Sequence, residues 1–350
     1  MSKRHADHAM LDNAKANKND EFYTQYADIE RELKHYSFHG KVVLCNCDDP
    51  RISNFYKYFV DRFDELGIRK LICSCYNSAD NDPFDNADGG VGFWYSYDGM
   101  GKKIPDLDDC HMFNGDGDFR RGEALDLARE ADIVVTNPPF SLFREYVVKM
   151  ENLGKLFLVI GNINAITYKD IFGLIQNNRA WLGVNLGRGI SGFIVPDNYI
   201  LYGQEARIEN GKRIVATNSC LWLTNMDNSC RHAKIPLVKE YKDGYKKYDN
   251  YDGINVDKTK DIPYDYPGYI GVPITFLHKF NPDQFEIVKF RKGDDGKDLT
   301  IDGKPTYFRI IVRNREVGIK GRVIAKIKPM DSTKKKTKSQ KKHWLELQLQ

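Results

Sequence analysis

Short, nearly continuous apolar runs alternate with amphipathic segments through the first half of the chain. The predicted strands are 41–47, 70–76, 132–137 and 155–162, and the predicted helices are the later part of 20–36, then 52–67, 121–131, 142–154 and 167–178. Strands that are apolar on both faces are typical of a parallel sheet covered by helices on both sides. The pattern therefore predicts an open α/β sheet, which binds ligands beyond the carboxyl ends of its strands.

The pattern changes near residue 187 to short β-like runs among Gly, Pro, Tyr and Asp, and the next segment that predicts a helix is 282–290. We expect a polar, flexible N-terminus at 1–19, a ligand-binding domain at 20–190, an irregular α/β region at 191–317 and a basic tail at 318–350. The sequence contains no internal repeat.

Composition excludes several classes of protein. The chain has 350 residues, of which 41% are hydrophobic and 29% charged, as expected for a globular protein. It lacks both an apolar run of about 20 residues for a membrane helix and an apolar N-terminal segment for secretion. Its seven cysteines are an odd number without disulfide spacing, so a cytoplasmic location is the simplest expectation.

Basic charge is concentrated near the C-terminus. Residues 320–342 contain ten Lys or Arg and one acidic residue, a net charge of +9, which leaves −5 for the rest of a chain whose total is +4. Such a block binds polyanions such as nucleic acid, or it keeps the protein in solution. Charge alone leaves both interpretations open.

The segment "NPPF" at 137–140 follows the apolar run "DIVVT". The side-chain oxygen of Asn137 and the backbone carbonyl of Pro138 are two acceptors, and Pro138 and Pro139 hold the backbone rigid. Two fixed acceptors match the two hydrogens of an exocyclic amino group, and Phe140 offers a surface for the attached ring. Acceptors on these hydrogens stabilise the positive charge that builds on the nitrogen during attack. The alternative is a strand exit in which Asn137 caps the next helix.

This signature resembles that of amino-methyltransferases that use S-adenosylmethionine, and the wider sequence resembles the EcoRI-type adenine-specific DNA methyltransferases. The resemblance extends from about residue 13 to about residue 313. The segments that carry it are Asp20–Tyr26, Cys45–Phe59, Gly115–Arg120, Asp132–Tyr146, Ile166–Lys169, Trp181–Pro196, Leu201–Ile208, Cys220–Asn225, Lys247–Pro263 and Gly271–Glu286. It implies a Rossmann-like class I methyltransferase sheet followed by a C-terminal irregular α/β target-recognition region.

The resemblance also implies roles for individual residues. Asn137, Pro138, Pro139 and Phe140 are the implied catalytic residues, and the implied cofactor-binding residues are Tyr23, Thr24, Asn46, Asp48, Asp49, Asp118 and Phe119. The turn at 45–50 departs from the usual glycine-rich cofactor loop, because two aspartates stand where glycines are expected. No carboxylate follows the second strand, "CSCYN", where one usually binds the ribose hydroxyls.

The implied substrate is duplex DNA, with the target adenine extruded into the pocket. The resemblance further implies a monomer that acts on a short palindrome such as GAATTC, with a restriction endonuclease that recognises the same site. Candidate DNA-binding residues are Arg188, in a glycine-rich loop, and Lys334, Lys335 and Lys336 in the tail. We expect the tail to add non-specific affinity for DNA.

Three alternatives remain at this point. The two C-x-C pairs, Cys45/Cys47 and Cys73/Cys75, could ligate zinc, although small residues at period 2 on apolar strands are ordinary, and we expect no metal. The same pocket could methylate cytosine N4 or a glutamine amide, although Asn137 with Phe140 favours adenine. The chain could also be a DNA-binding relative that has lost catalysis.

Overall fold

The computed structural model describes residues 23–77, 90–185, 190–195, 206–215, 220–242 and 244–321. Its strands are β1 Tyr23–Thr24, β2 Val42–Asn46, β3 Lys70–Cys75, β4 Phe93–Tyr97, β5 His111–Met112, β6 Ile133–Thr136, β7 Leu156–Asn162, β8 Trp181–Leu182, β9 Phe193–Val195, β10 Ala206–Glu209, β11 Lys212–Val215, β12 Cys220–Thr224, β13 Gly253–Asn255, β14 Tyr269–Pro273, β15 Phe285–Phe290, β16 Thr300–Ile301, β17 Lys304–Pro305 and β18 Arg309–Asn314. Its α-helices are α1 Tyr26–Leu33, α2 Asn54–Asp61, α3 Phe63–Leu66, α4 Gly122–Glu130, α5 Phe143–Asn152 and α6 Lys169–Gln176.

The largest sheet has eight strands in the order β5-β4-β3-β2-β6-β7-β12-β8. The four central strands, β3, β2, β6 and β7, are parallel, whereas β4, β5, β12 and β8 run antiparallel to their neighbours. The predicted parallel sheet is therefore confirmed at its centre and wrong at its edges. Antiparallel neighbours need no crossover helix, so the alternation of strands and helices revealed only the central part.

Helices cover both faces of this sheet. On β2, Leu44 packs with α4, α5 and α6 on one face, and the next residue, Cys45, packs with α1, α2 and α3 on the other. Strands buried on both faces explain the continuous apolar runs in the sequence. The mixed α/β architecture confirms the predicted class I methyltransferase fold.

The segment 52–67, predicted as one helix, is two helices. Ser53 caps the first by accepting hydrogen bonds from the backbone N–H groups of Phe55 (3.1 Å) and Tyr56 (3.2 Å). Arg62 leaves helical geometry, with φ −116° and ψ 19°, and separates the two helices. The predicted helix end at Gly67 is confirmed, because Gly67 adopts the left-handed conformation, with φ 61°, that ends many helices.

The second half contributes smaller sheets. Strands β1-β9-β11-β10 form one four-stranded sheet, β13-β14-β18-β15 form another, and β16 pairs with β17. The helix predicted at 282–290 is wrong: Phe285–Phe290 is a strand, and the buried side chains of Phe285 and Ile287 alternate with less buried ones. Pairing with β18 lets this strand bury one face, which overrides a helical propensity that is only local.

The second half is not separated from the large sheet. Cys220–Thr224, from the segment predicted as the target-recognition region, pairs with β7 inside the large sheet. Phe172 on α6 lies 4.9 Å from Phe290 on β15, measured between ring centroids, and Gln176 Nε2 donates to the carbonyl of Val288 at 2.6 Å. The domain boundary at residue 190 stays a prediction, and the core continues across it. Of the helices in the described ranges, none has the length and apolar character that crossing a bilayer requires.

Glu32, a fully buried carboxylate on α1, holds the chain where it leaves β8. Its two oxygens accept hydrogen bonds from the backbone N–H groups of Val184 (2.7 Å) and Asn185 (2.8 Å) and from the hydroxyl of Tyr36 (2.8 Å). Gly183 is required nearby, because a Cβ there would overlap this carboxylate. A buried charge is tolerated here because several donors satisfy it.

Asp28, one turn earlier on α1, holds the start of the small sheet in the same way. Its Oδ2 accepts from the backbone N–H (2.8 Å) and the hydroxyl (2.9 Å) of Ser191. Gln25 adds two bonds from its Nε2, to Ser191 Oγ at 2.8 Å and to the Gly192 carbonyl at 3.0 Å. Burial raises the pKa of Asp28, and the hydrogen bonds from Ser191 oppose that shift. Helix α1 therefore joins the large sheet to the small one.

Replacing Glu32 by Ala should lower the free energy of unfolding by about 3 kcal/mol, because four hydrogen bonds, donated by Val184, Asn185 and Tyr36, lose their acceptor. Glu30→Ala on the same helix is the control: Glu30 is partly exposed and pairs with Arg62 at the surface, so its loss should cost less than about 1 kcal/mol. Urea unfolding followed by circular dichroism measures both. Equal, small losses for the two variants would contradict the role assigned to Glu32.

Candidate active site

The site lies where the parallel strands β2 and β6 end side by side. Val43 pairs with Ile133 and Leu44 with Val134, so Asn46 at the end of β2 and Asn137 directly after β6 emerge at the same edge of the sheet. In open α/β sheets this edge is where ligands bind. The structure thus brings together the two segments on which the sequence prediction depends.

The turn after β2 is formed without glycine. Cys47 takes the left-handed conformation, with φ 62°, which costs a non-glycine residue roughly 1 kcal/mol or more. Two bonds from β3 hold the turn: Asp48 N–H donates to the Ser74 carbonyl at 3.0 Å, and Cys73 Sγ donates to the Asp48 carbonyl at 3.2 Å. These contacts stabilise a turn that in related loops relies on glycine.

The carboxylate of Asp48 fastens this turn to its surroundings. Ser53 Oγ donates to Asp48 Oδ1 at 2.8 Å, and Thr136 Oγ1 lies 2.8 Å from Asp48 Oδ2. Thr136 Oγ1 also contacts the Asn46 carbonyl, so the single hydroxyl proton lies between two acceptors. Thr136 is the last residue of β6, and the next residue is Asn137. One side chain therefore connects the predicted cofactor turn to the predicted catalytic motif.

The second aspartate of the turn, Asp49, is buried and engaged with Arg51. Its oxygens accept from the backbone N–H of Arg51 at 2.8 Å and from the guanidinium at 2.7 to 3.2 Å. The guanidinium also lies 5.0 Å from the ring centroid of Phe93. Both aspartates thus support the turn through internal bonds.

Asn46 is held by a tyrosine that the sequence analysis did not single out. Its Oδ1 accepts a hydrogen bond from the hydroxyl of Tyr146, a fully buried residue of α5. Burial raises the pKa of Tyr146 well above its ordinary value, so the hydroxyl keeps its proton and donates. Asn46 Nδ2 is buried and has no hydrogen-bond partner in the part of the chain that the structure describes. The amide is therefore oriented, with one donor still available.

The acidic motif "GDGDF" lies against the same tyrosine. Phe119 is buried, and its ring centroid is 4.9 Å from that of Tyr146. Asp118 is 5% exposed and accepts from the backbone N–H of Arg120 at 2.9 Å and from its guanidinium at 2.6 to 3.0 Å. Burial alone would raise the pKa of Asp118, but the bonds and charge of Arg120 lower it overall. Asp118 therefore stays ionised at neutral pH.

The predicted residues of the N-terminal segment lie in the small sheet. Tyr23 pairs with Ile194 and Thr24 with Phe193. The Thr24 carbonyl accepts from Asn54 Nδ2 at 2.7 Å, which ties this strand to α2. Thr24 Oγ1 is buried and has no hydrogen-bond partner among the described residues.

The motif "NPPF" forms a turn between β6 and α5. Leu142 N–H donates to the Pro139 carbonyl at 3.0 Å, and Phe143 N–H donates to the Phe140 carbonyl at 3.4 Å. The helix begins at Phe143 with Leu142 as its N-cap, so Asn137 does not cap it and that structural alternative is wrong. Asn137 is half-buried and Pro138 is buried.

Phe140 lies between the motif and the small sheet. Its ring is half-buried and lies 5.8 Å from the ring of Phe193 on β9, with 60° between the planes. Phe193 is itself 1% exposed. The small sheet, which also carries Thr24, therefore forms the wall next to Phe140.

Other predicted residues are not part of this arrangement. Arg188 and the tail residues Lys334, Lys335 and Lys336 lie outside the described residues. The seven cysteines all lie within the described ranges, and none of them is in a disulfide. Cys45 and Cys73 are buried partners on β2 and β3, and burial raises the pKa of both. In the described ranges, no group of three or more His, Cys, Asp or Glu side chains could hold a metal ion.

Sequence reasoning missed Tyr146, Thr136 and Arg120, although each lies inside a quoted segment. Thr136 is the one polar residue of the apolar strand β6, and that polarity is the signal that could have found it. Tyr146 looks like an ordinary aromatic residue on the buried face of a helix. Arg120 follows Asp118 at a spacing of two, and so does Arg51 after Asp49; the repeated D-x-R pattern was visible in the sequence.

Comparison with known proteins agrees with this geometry. The family model described as adenine-specific methyltransferase EcoRI matches residues 10–346. The Type II methyltransferase M.EcoRI of Escherichia coli is 57% identical over 323 residues, which cover 90% of this chain and 99% of that protein. The Type II methyltransferase M.MpnI of Mycoplasma pneumoniae is 35% identical over 327 residues, which cover 87% of this chain and 97% of that protein.

A third relative, the Type II methyltransferase M.MgeORF184P of Mycoplasma genitalium, is 33% identical over 331 residues, which cover 87% of this chain and 98% of that protein. No solved structure matches the chain at a significant level. The match to an adenine-specific family decides against cytosine N4 and the glutamine amide as acceptors. The chain therefore belongs to the EcoRI-type family of adenine-specific DNA methyltransferases, enzymes of restriction and modification.

Proposed function

We propose that this protein transfers the methyl group of S-adenosylmethionine to N6 of an adenine flipped out of duplex DNA, within the site GAATTC. The observation that carries the proposal is the contact of Thr136 with both Asn46 and Asp48. It fixes the turn that would hold the methyl donor beside the motif that would hold the methyl acceptor. Positioning of two reactants is the main requirement for such a transfer.

The residues around the ends of β2 and β6 suit S-adenosylmethionine. Asp118 offers an ionised acceptor for the amino group of the cofactor's adenine, and Phe119 offers an aromatic surface for its ring. Asn46 Nδ2 and Thr24 Oγ1 are buried polar atoms without a partner among the described residues, and a polar ligand would satisfy them. When bound, the cofactor supplies an electrophilic methyl group on a positively charged sulfur.

Tyr23 would lie with Thr24 at the methionine end of the cofactor. Asp48 and Asp49 would contact it through their carboxylates, each of which has about four acceptor positions. Their main contribution in this proposal is to hold the shape of a turn that has no glycine.

The target adenine would lie between Asn137 and Phe140. The Asn137 side-chain oxygen and the Pro138 carbonyl accept hydrogen bonds from the two N6–H groups, which moves the nitrogen lone pair out of the ring and toward the methyl group. Phe140, supported by Phe193, holds the base by stacking. No strong base is required, because the ammonium product loses its proton readily to water. Stabilising charge that develops only during attack accelerates the reaction itself.

Double-stranded DNA is the substrate that the family implies, and we propose that one monomer binds it. The region 191–317 and Arg188 would recognise the site, and Lys334, Lys335 and Lys336 would add salt-dependent contacts to phosphates. A restriction endonuclease for the same site would act without forming a stable complex. We propose a cytoplasmic location, which the seven cysteines, none of them in a disulfide, support.

The recognition site can be read directly. Unmodified DNA treated with the purified protein and S-adenosylmethionine, then sequenced by a method that detects modified bases on single molecules, should show N6-methyladenine at one adenine of each GAATTC strand. A sample without S-adenosylmethionine is the control. Methylation at a different sequence would overturn the proposed site but not the chemistry, and absence of methylated adenine would overturn both.

Replacing Asn137 by Ala should lower the single-turnover rate of methyl transfer by roughly 100-fold or more, because it removes an acceptor that acts in the transition state. The affinities for S-adenosylmethionine and for DNA should stay within about threefold of the unmodified protein. Asn152→Ala, at the exposed end of α5, is the matched control and should leave the rate unchanged. A near-normal rate for Asn137→Ala would refute the proposed mechanism.

A further inference from the structure

Strands β10 and β11 form a projecting hairpin whose two-residue turn is Asn210–Gly211. Both turn residues have positive φ, 50° and 73°, and the register pairs Glu209 with Lys212 across the turn. Positive φ at both central positions is the geometry of a type I′ turn, which matches the twist of a hairpin and makes it stiff. The hairpin is therefore a defined structural element of the small sheet.

The base of the hairpin is buried and its tip is exposed. Ile214 and Val215 at the base are 2% and 1% exposed, whereas Ile208 near the tip is 81% exposed. Ile208 is the most exposed large apolar side chain in the described part of the chain. A single exposed apolar residue is ordinary on a protein surface. Whether Ile208 has a function therefore depends on where it lies relative to the site.

The position of Ile208 relates directly to the candidate target pocket. Val215 pairs with Phe193 on β9, and Phe193 contacts Phe140 of the catalytic motif. Ala206 pairs with Val215 on the other side, and Ile208 lies two residues further along β10. Strand spacing places Ile208 about 10 Å across the sheet and about 7 Å along it from Phe193. Both spacings fall within the range of DNA groove widths, about 6 to 12 Å.

The hairpin carries the charge that suits a DNA backbone. Arg207, Lys212 and Arg213 are basic and Glu209 is the one acidic residue among 206–215. Arg213 is the direct cross-strand neighbour of Ile208, so the two side chains share one face of the hairpin. An apolar side chain flanked by basic ones is how many proteins insert a wedge between base pairs while contacting phosphates.

We propose that this hairpin enters the duplex beside the target adenine, with Ile208 as the wedge that helps to extrude the base. The inference rests on the proposed function, because it presumes that the adenine is flipped toward Phe140. Ile208 contacts the bases next to the vacated position, and Lys212 contacts the phosphate backbone. Ile208 is a positioning residue for the substrate and takes no part in methyl transfer itself.

The test uses duplex DNA that carries 2-aminopurine, a fluorescent adenine analogue, at the target position. Ile208→Ala should reduce the fluorescence increase on binding to less than about half, and should slow single-turnover methylation of ordinary DNA about tenfold. Ile208→Leu keeps the bulk of the side chain and should behave like the unmodified protein. Equal fluorescence and equal rates for Ile208→Ala and the unmodified protein would overturn the wedge.

DNA with a mismatch opposite the target adenine distinguishes the loss of a wedge from a general defect of the Ile208→Ala protein. Extrusion costs less at a mismatched base, so the deficit of Ile208→Ala should shrink to within about twofold on such DNA. A deficit that persists on mismatched DNA would show that Ile208 acts in some other way. Ile104→Ala, which alters another exposed isoleucine (61% exposed) in the loop after β4, is the matched control and should change nothing.

The Lys212→Ala variant tests whether the hairpin contacts the phosphate backbone of the DNA. It should lower the slope of log affinity against log salt concentration by about one; an unchanged slope would place the hairpin away from the DNA. Failure of the unmodified protein to methylate any DNA would instead overturn the proposed function. The two failures are therefore distinguishable.

Discussion

The hydroxyl of Thr136 is the contact on which the candidate site depends. It lies between the carbonyl of Asn46 and the carboxylate of Asp48, and so joins the ends of two parallel strands that backbone pairing alone leaves free to diverge. One strand end leads into the predicted cofactor turn, and the other leads into Asn137. A methyl transfer needs its donor and acceptor within a narrow range of distance and angle, and this contact constrains both.

The contacts around Thr136 extend this constraint to the rest of the molecule. Asp48 also binds Ser53, the N-cap of α2, and Asn46 binds Tyr146 of α5, so helices on opposite faces of the sheet hold the same turn. On the far side, the buried carboxylates of Asp28 and Glu32 fasten the small sheet and the exit of β8 to α1. The segments that would meet the target base are thereby attached to those that would meet the cofactor.

Much of the fold could be predicted because the strands of a sheet buried on both faces are apolar throughout, and because Gly67 marks a helix end. The membership of the antiparallel edge strands in this sheet could not, since a strand such as β4 is not joined to its neighbour by a crossover helix. Phe285–Phe290 was mistaken for a helix because short apolar segments fit both periods. Its paired residues on β18 lie 20 residues (Phe290 to Ile310) to 29 residues (Phe285 to Asn314) later in the chain, beyond the reach of a local pattern.

The site shows the same division between local and distant information. The motif at Asn137 is contiguous, so the sequence contains both of its acceptors and its aromatic ring. The turn at Cys47 could not be interpreted, because the bonds that replace glycine come from β3, from α2 and from Thr136 on β6. Tyr146 was missed for a related reason: its partner Asn46 is 100 residues away in the sequence.

The most direct test of the central claim compares Thr136→Val with Thr136→Ser in single-turnover methyl transfer at saturating DNA and S-adenosylmethionine. Valine keeps the shape of threonine without the hydroxyl, whereas serine keeps the hydroxyl. We predict that Thr136→Val slows the reaction about tenfold or more, while Thr136→Ser stays within about threefold of the unmodified protein. A Thr136→Val variant that reacts at the normal rate would contradict the account, since the hydroxyl would then not be needed to align the two halves of the site.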